Sequence, residues 1–405
     1  MMNKSPLSHG DSPVSRSLHT SYPLLQLPGI LKRVESPSAS FSHEASGSAR
    51  TTVAESLALG SSPSCLESPD TTCHTLLRGD PFRVSHLDFE VVSLLSHGHS
   101  GTVVQLVRFR RDGSLYAMKT VDKWSLVALV NSGDTKAVDR ASAERDLHVT
   151  LDSSLRNRAQ FCPYFVKFYY SFQTSRELNY VMEYCSLDVL EYLNLFGRLS
   201  ETSTLLFIAE MSMAVDFLHV AGSIHRDIKI ENIMISKTGH TKLSDFGSSK
   251  KLFTPRCDSV VGFSLSIMPP EFFAGEPSYG AAIDWFQLGI CAYQVLTGQT
   301  PFGGRPLESV DSPSWPPAYD KPSACTDLIS ALLHPKEECR LTNLETIKAH
   351  LAMKDISWEG HDAPFPEMTD EFIPLPSPTQ PPSPEDSFDP LPLQSFSYVR
   401  QPSTF

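Results

Sequence analysis

The chain has 405 residues and a formal net charge of -12, with 40% hydrophobic and 20% charged residues. That length suits one large domain with tails, and the composition is that of a globular protein. The acidic balance speaks against nucleic acid as the main partner and against electrostatic docking on anionic membranes, because both recruit basic surfaces.

The eight cysteines are Cys65, Cys73, Cys162, Cys185, Cys257, Cys291, Cys325 and Cys339. None form a CxxC pair and none share zinc-ligand spacing with histidines, so free thiols in a reducing compartment are expected. Met1–Ser5 leads into polar residues rather than an apolar signal core, and no glycine follows the initiator. No uninterrupted apolar run is long enough to cross a bilayer. The expected location is intracellular, cytoplasmic or nuclear, and a monomer is the default expectation.

Residues 1–83 are rich in Ser and Pro and carry no periodic apolar pattern. Such a segment cannot bury enough surface to offset its conformational entropy, so disorder is expected. Its Ser-Pro pairs at Ser5, Ser12, Ser36, Ser62 and Ser68 suit proline-directed kinases, although Ser-Pro is common in disorder. From Phe89 the pattern changes. Phe89–Leu95, Val103–Phe109 and Leu115–Val121 read as strands, with an Arg111–Gly113 turn between the last two. A helix is expected around Ala137–Leu151, then strands at Val166–Phe172 and Tyr180–Tyr184. After Ser186 the chain reads mostly helical, with polar motifs on the loops. Strands first and helices later predict an α+β fold in two lobes, 84–185 and 186–353, followed by a tail over 354–405.

Three motifs carry chemistry. Ser96-His97-Gly98-His99-Ser100-Gly101-Thr102-Val103 lies between two predicted strands, where Gly98 and Gly101 permit a turn whose N–H groups approach phosphates. A plain glycine hairpin explains it equally well. Tyr116-Ala117-Met118-Lys119 places a lysine on the next strands, and Glu144 is in order to orient it. His225-Arg226-Asp227-Ile228-Lys229-Ile230-Glu231-Asn232, followed by Asp245-Phe246-Gly247, decides the reading. Phosphoryl transfer needs a carboxylate for the attacking hydroxyl (Asp227), a cation near the γ-phosphate (Lys229) and oxygen ligands for Mg²⁺ (Asn232 and Asp245).

This set resembles the eukaryotic protein kinase catalytic domain over roughly Phe89 to Met353. The resemblance implies an ATP- and Mg²⁺-dependent transferase acting on Ser/Thr of protein substrates. Its ATP site would be lined by Ser96–Val103, Ala117, Lys119, Met182 as gatekeeper, Glu183 and Cys185 at the hinge, and Asp188 at the ribose. Asp284–Gly289 resembles the helix that anchors the catalytic loop, and Glu271 would pair with Arg340. His148, Phe168, Phe246 and His225 would form a hydrophobic spine, with His148 expected to be a satisfied core histidine. The sequence is further similar to the AGC group, whose tail folds back onto the small lobe. Leu393-Gln394-Ser395-Phe396-Ser397-Tyr398 resembles that group's hydrophobic motif. The implied phosphosites are Ser259, Ser397, and Ser377 or Ser383, which implies an upstream activating kinase. More narrowly, the hinge, the catalytic loop and the tail resemble the ribosomal S6 kinase-related proteins.

Some positions depart from the pattern. Ser96 replaces a glycine, Ser100 stands at the loop tip, and Ile230 replaces a proline. The activation-segment threonine that contacts the catalytic Asp and Lys is missing or replaced by Ser264. Asp188 and Glu231 match positions that read basic residues before the acceptor, while the third such position is Gln294. These departures motivate an alternative, a pseudokinase that signals by binding alone. Against it, every phosphate and metal residue is present.

Overall fold

The computed structural model describes residues 84–98, 101–155, 162–258, 264–273, 278–303, 312–359, 362–365, 391, 393 and 396–399. Ser5–Ser68 of the Ser-Pro series, His99, Ser100, Ser259, Ser377 and Ser383 therefore lie outside the described residues. The expectation of disorder over 1–83 also falls there.

The small lobe is built on an antiparallel sheet. Strands β1 (Phe89–His97), β2 (Thr102–Phe109), β3 (Leu115–Asp122), β4 (Phe168–Gln173) and β5 (Glu177–Glu183) stand in the order β1-β2-β3-β5-β4. One face of the sheet stacks Phe89, Phe109, Phe172 and Tyr170 around Val107 and Val181, a dense aromatic core. The strand boundaries lie within three residues of the expected ones, β4 starting two later and β5 three earlier.

Helix α1 (Lys123–Asn131) follows β3 directly and was not anticipated. Asp122 starts the helix, because its carboxylate accepts the Ser125 N–H at 2.8 Å. Lys123 is fully buried there and bonds Gln173 and the Thr174 carbonyl, both at 2.9 Å. Helix α2 (Ala137–Leu155) packs on the same lobe. Its buried residues Ala137, Ala141, Glu144, His148 and Leu151 recur at steps of three and four, which is one helical face. That face carries Glu144 and His148 inward together.

The large lobe opens with β6 (Leu187–Asp188) and α3 (Val189–Phe196), where Asp188 caps α3 through the Glu191 N–H at 2.8 Å. Helices α4 (Glu201–Val220), α5 (Ala282–Thr297), α6 (Ala324–Leu332) and α7 (Leu344–Lys348) share one large apolar core. Short strands β7 (Ser223–Ile224), β8 (Ile233–Ile235), β9 (Thr241–Leu243) and β10 (Lys250–Lys251) flank the polar loops, β8 pairing with β6 and β9, and β10 with β7. Helix α4 has 20 residues and a mean hydropathy of 1.4, enough by length and composition to cross a membrane. Its residues Phe207, Ile208, Met211 and Val215 are wholly buried in the lobe core, which accounts for that composition.

The tail returns to the small lobe. Strand β11 (Tyr398–Val399) adds to the free edge of β4, making a six-stranded sheet. Phe396 is buried among Val121, Leu126, Ala141 and Tyr180 between the sheet and the two helices. The Arg145 guanidinium lies 5.4 Å from its ring.

Candidate active site

The catalytic loop is hung from helix α5. Asp284 accepts the N–H groups of His225 (2.9 Å) and Arg226 (2.8 Å) on its two oxygens. One turn further, Gln287 accepts the Ile228 N–H and donates to the Arg226 carbonyl, both at 2.9 Å. These four bonds satisfy buried loop amides and hold Arg226 at a φ of 73°. Asp284 was anticipated and Gln287 was not. Its signal was the i, i+3 spacing, which puts both side chains on one helix face.

Three donors converge on Asp227. Lys229 Nζ lies 2.8 Å and Asn232 Nδ2 3.0 Å from Oδ2, and the Ser264 N–H donates to Oδ1 at 3.2 Å. Asn232 also donates to the Asp227 carbonyl at 2.8 Å, which leaves its amide oxygen for another partner. Lys229 reaches Ser264 Oγ at 3.3 Å. Ser264 thus fills the place left open in the sequence for a threonine.

Lys119 Nζ lies 2.7 Å from Glu144 Oε1 and 2.7 Å from Asp245 Oδ1. It joins β3, α2 and the loop after β9 in one contact. Burial alone would lower the Lys119 pKa, but the two carboxylates outweigh it and hold the ammonium above its ordinary range. The same ammonium holds the Asp245 carboxyl well below the usual carboxylate range. Glu144, by contrast, is raised, because burial outweighs its lysine. Asp245 sits at φ 58° with its side chain 46% exposed toward the cleft. A Cβ on Gly247 would stand 3.3 Å from Asp245 Oδ1 and 3.5 Å from both Glu144 and Lys119, so glycine leaves this trio room.

Phe246 is buried and packs at 4.8 Å from His148 and 5.3 Å from His225. His148 stacks on Phe168 at 4.7 Å. The four expected spine members therefore meet. One expectation fails: His148 Nε2 is buried with no hydrogen-bond partner among the described residues. Burial, with the Lys119 ammonium adding to it, drives its pKa down to about 3.

The nucleotide-side residues come together less tightly. Ala117 and Met182 face each other across β3 and β5, and Glu183 ends β5 before buried Cys185 and half-buried Asp188. In the glycine loop the Gly98 N–H bonds the Thr102 carbonyl at 2.8 Å. Gly101 has φ 73°, and a Cβ there would fall 2.2 Å from Ser125 Oγ at the start of α1. Ser96, His97 and Gly98 are exposed, and Thr102 and Val103 half-buried. A separate cavity of about 520 Å³ lies behind the hinge, lined in part by Tyr116, Lys167, Glu183 and Lys242. It touches none of Lys119, Glu144, Asp227, Asn232 or Asp245.

The internal ion pair is formed. Arg340 donates to both Glu271 oxygens, at 2.6 and 2.8 Å. Arg226 donates to the Ser248 carbonyl at 2.6 Å and to Tyr279 Oη at 3.0 Å.

The family described as protein kinase domain matches residues 89–353, more than half of the chain. The chain belongs to the protein kinase family. Human serine/threonine-protein kinase MRCK gamma is 31% identical over 299 residues, which cover 68% of this chain and 18% of that protein. Human Rho-associated protein kinase 1 is 33% identical over 293 residues, covering 68% and 20%. Caenorhabditis elegans serine/threonine-protein kinase mrck-1 is 29% identical over 360 residues, covering 78% and 21%. The kinase chain thus spans about a fifth of the length of these curated relatives.

Proposed function

We propose that the chain is a protein serine/threonine kinase that uses ATP and Mg²⁺. The observation that carries this reading is Lys119, held at 2.7 Å from both Glu144 and Asp245 while Phe246 is packed inside. An ionised carboxylate at Asp245 and a spare amide oxygen on Asn232 suit a hard cation that takes oxygen ligands. Among the described residues no three His, Cys, Asp or Glu side chains cluster, so such a cation would draw its other ligands from phosphate and water. When bound, Mg²⁺ and ATP supply the transferable phosphoryl group and offset its charge.

The roles of the residues follow from their positions. Asp227 orients the substrate hydroxyl and accepts its proton. Its two oxygens are already held by Lys229, Asn232 and the Ser264 N–H, so little reorganisation is needed. Lys229 then offsets charge on the transferred group, and Lys119 positions the α- and β-phosphates. Met182, Glu183, Cys185 and Ala117, with Ser96–Gly98 and Gly101–Val103 of the glycine loop, would line the adenine and phosphate positions. Ser397 is exposed between buried Phe396 and half-buried Tyr398, which supports its reading as a tail phosphosite. Ser259, and Ser377 or Ser383, remain the other proposed acceptors for an upstream kinase. The docked tail supports the AGC group, and the hinge and tail residues support the ribosomal S6 kinase-related branch.

Phosphate transfer from labelled ATP to a library of basic Ser/Thr peptides tests the reading. Incorporation by the wild type should fall at least about 10³-fold in Asp227→Ala, the scale at which loss of a positioned catalytic group is felt. Equal incorporation by both proteins would refute the assignment of Asp227. No incorporation by either would favour a binding module without transfer.

Asp188 gives a second test. Burial pushes its carboxyl up to about 7, with the Glu191 N–H pulling the other way and the Glu191 and Glu231 carboxylates adding to it. The group is neutral below that pH and ionised above it. Between pH 6 and 8 its ionised fraction rises about tenfold, so KM for a peptide basic before the acceptor should fall by up to about tenfold. Asp188→Asn should flatten that profile. A profile unchanged by the substitution would mean that Asp188 serves the α3 cap and not the peptide.

A further inference from the structure

The cavity behind the hinge plays no part in the catalytic reading. Its walls come from both lobes. Tyr116, Lys167 and Tyr169 stand on the small-lobe side. Lys237, Thr238 and His240 stand on the large-lobe side, in the turn between β8 and β9. The volume of about 520 Å³ is in the range that holds a small organic molecule.

Charge in this cavity does not cancel. Glu183 is the only carboxylate among the described lining residues, and Lys242 Nζ balances it at 3.1 Å from Oε2. The same oxygen accepts the Lys167 N–H at 3.2 Å. His240 Nδ1 lies 2.5 Å from Oε1 of Glu210, which is wholly buried on α4, so that pair is balanced too. Lys167 and Lys237 remain. Both are exposed, and neither ammonium meets a carboxylate among the described residues. On a chain of net charge -12 this is a local reversal of sign. No arginine lines the cavity among the described residues. A guanidinium fork matches a planar carboxylate, whereas an ammonium is a compact point charge that suits the spread negative charge of a phosphate. Aromatic rings supply the rest of the wall. Tyr116 and Tyr169 meet at 4.9 Å with planes 65° apart, and Tyr164 adds a third, half-buried ring. Such a wall offers faces and edges to another ring.

We propose that this cavity is a binding site for an aromatic phosphate monoester, with Lys167 and Lys237 on the phosphate and the tyrosine rings on the aromatic group. A ligand held in this way spans both lobes behind the hinge. The site is separate from the catalytic one, since the cavity touches neither Lys119 nor Asp245. It does not depend on phosphoryl transfer by the chain. Phosphotyrosine of a protein and a free aromatic phosphate share the chemistry that the cavity reads.

Ligand-observed phosphorus NMR on the full chain tests this, with phenyl phosphate as the probe. It should bind with a Kd of about 1 mM or tighter, the scale for so small a ligand. Glycerol phosphate has the charge without the ring and should bind at least about threefold more weakly. Lys167→Ala and Lys237→Ala should each weaken phenyl phosphate about three- to tenfold. Both residues are exposed, so neither variant threatens the fold. Lys348→Ala lies outside the cavity and should change nothing. Lys119→Met distinguishes the cavity from the catalytic cleft, and binding should persist in it. A phosphotyrosyl peptide more than about tenfold tighter than phenyl phosphate would support the site with a protein as the source, and equal affinities would support it with a free phosphate. Binding that both cavity variants leave untouched, or that Lys119→Met abolishes, would overturn the proposal, as would no binding at all. Because binding is read without catalysis, a chain that transfers no phosphate would still decide the question.

Discussion

Lys119→Met is expected to lower the rate of phosphoryl transfer about 10²–10³-fold, the scale for losing one preorganised charge in a catalytic site. Methionine keeps the length and apolar stem of the side chain and removes its ammonium. Glu144 and Asp245 then lose the cation that both approach at 2.7 Å. Glu144, already raised by burial, is raised further without its lysine, and Asp245 returns toward an ordinary carboxylate pKa. The tie between α2 and the loop after β9 is lost with the phosphate contact, so both kcat and nucleotide affinity should suffer. Steady-state kinetics beside binding of a fluorescent ATP analogue separates the two. Transfer within threefold of wild type would mean that another cation holds the phosphates.

Arg340→Ala should destabilise the large lobe by about 3–5 kcal/mol. The Arg340 side chain is 0% exposed and bonds Glu271 twice, the His334 carbonyl at 3.0 Å and the Ala282 carbonyl at 3.2 Å. It also lies 4.8 Å from the Phe286 ring centroid. Truncation leaves Glu271 without its partner in a mostly buried position and takes a donor from the His334, Pro335 and Ala282 carbonyls. For a domain of this size such a loss lowers Tm by roughly 10 °C. Lys348→Ala is the contrast, since its pair with Glu345 is on the surface and worth at most a few tenths of a kcal/mol. Urea denaturation of the two variants checks the ordering. A cost under about 1 kcal/mol for Arg340→Ala would show that the carbonyls and Glu271 find water instead.

Local chemistry was the part legible in the chain itself. His225–Asn232 and Asp245–Gly247 announce their roles because phosphoryl transfer leaves few choices of residue type at short spacing. The strands of the small lobe show in their apolar, β-branched runs, and Glu144 could be named because it sits on a helix in the right order. Asp284 and Arg340 were readable for the same reason, each standing in a short recognisable string.

What the folded chain alone decided depends on residues far apart in sequence. Helix α1 was given no element in the sequence, and the capping carboxylate at Asp122 that starts it shows only in the fold. Ser264 was one of two alternatives until its N–H and hydroxyl were seen to meet Asp227 and Lys229. Gln287 gained its role only once α5 lay under the catalytic loop. The unpartnered nitrogen of His148 and the stacking of Tyr398 on Phe168 belong to the same class, with the two rings of that stack 230 positions apart. Residue type determines which bonds a side chain is able to make. Packing between lobe, loop and tail determines which of them it does make, because each such contact is bought with chain closure that no local pattern records.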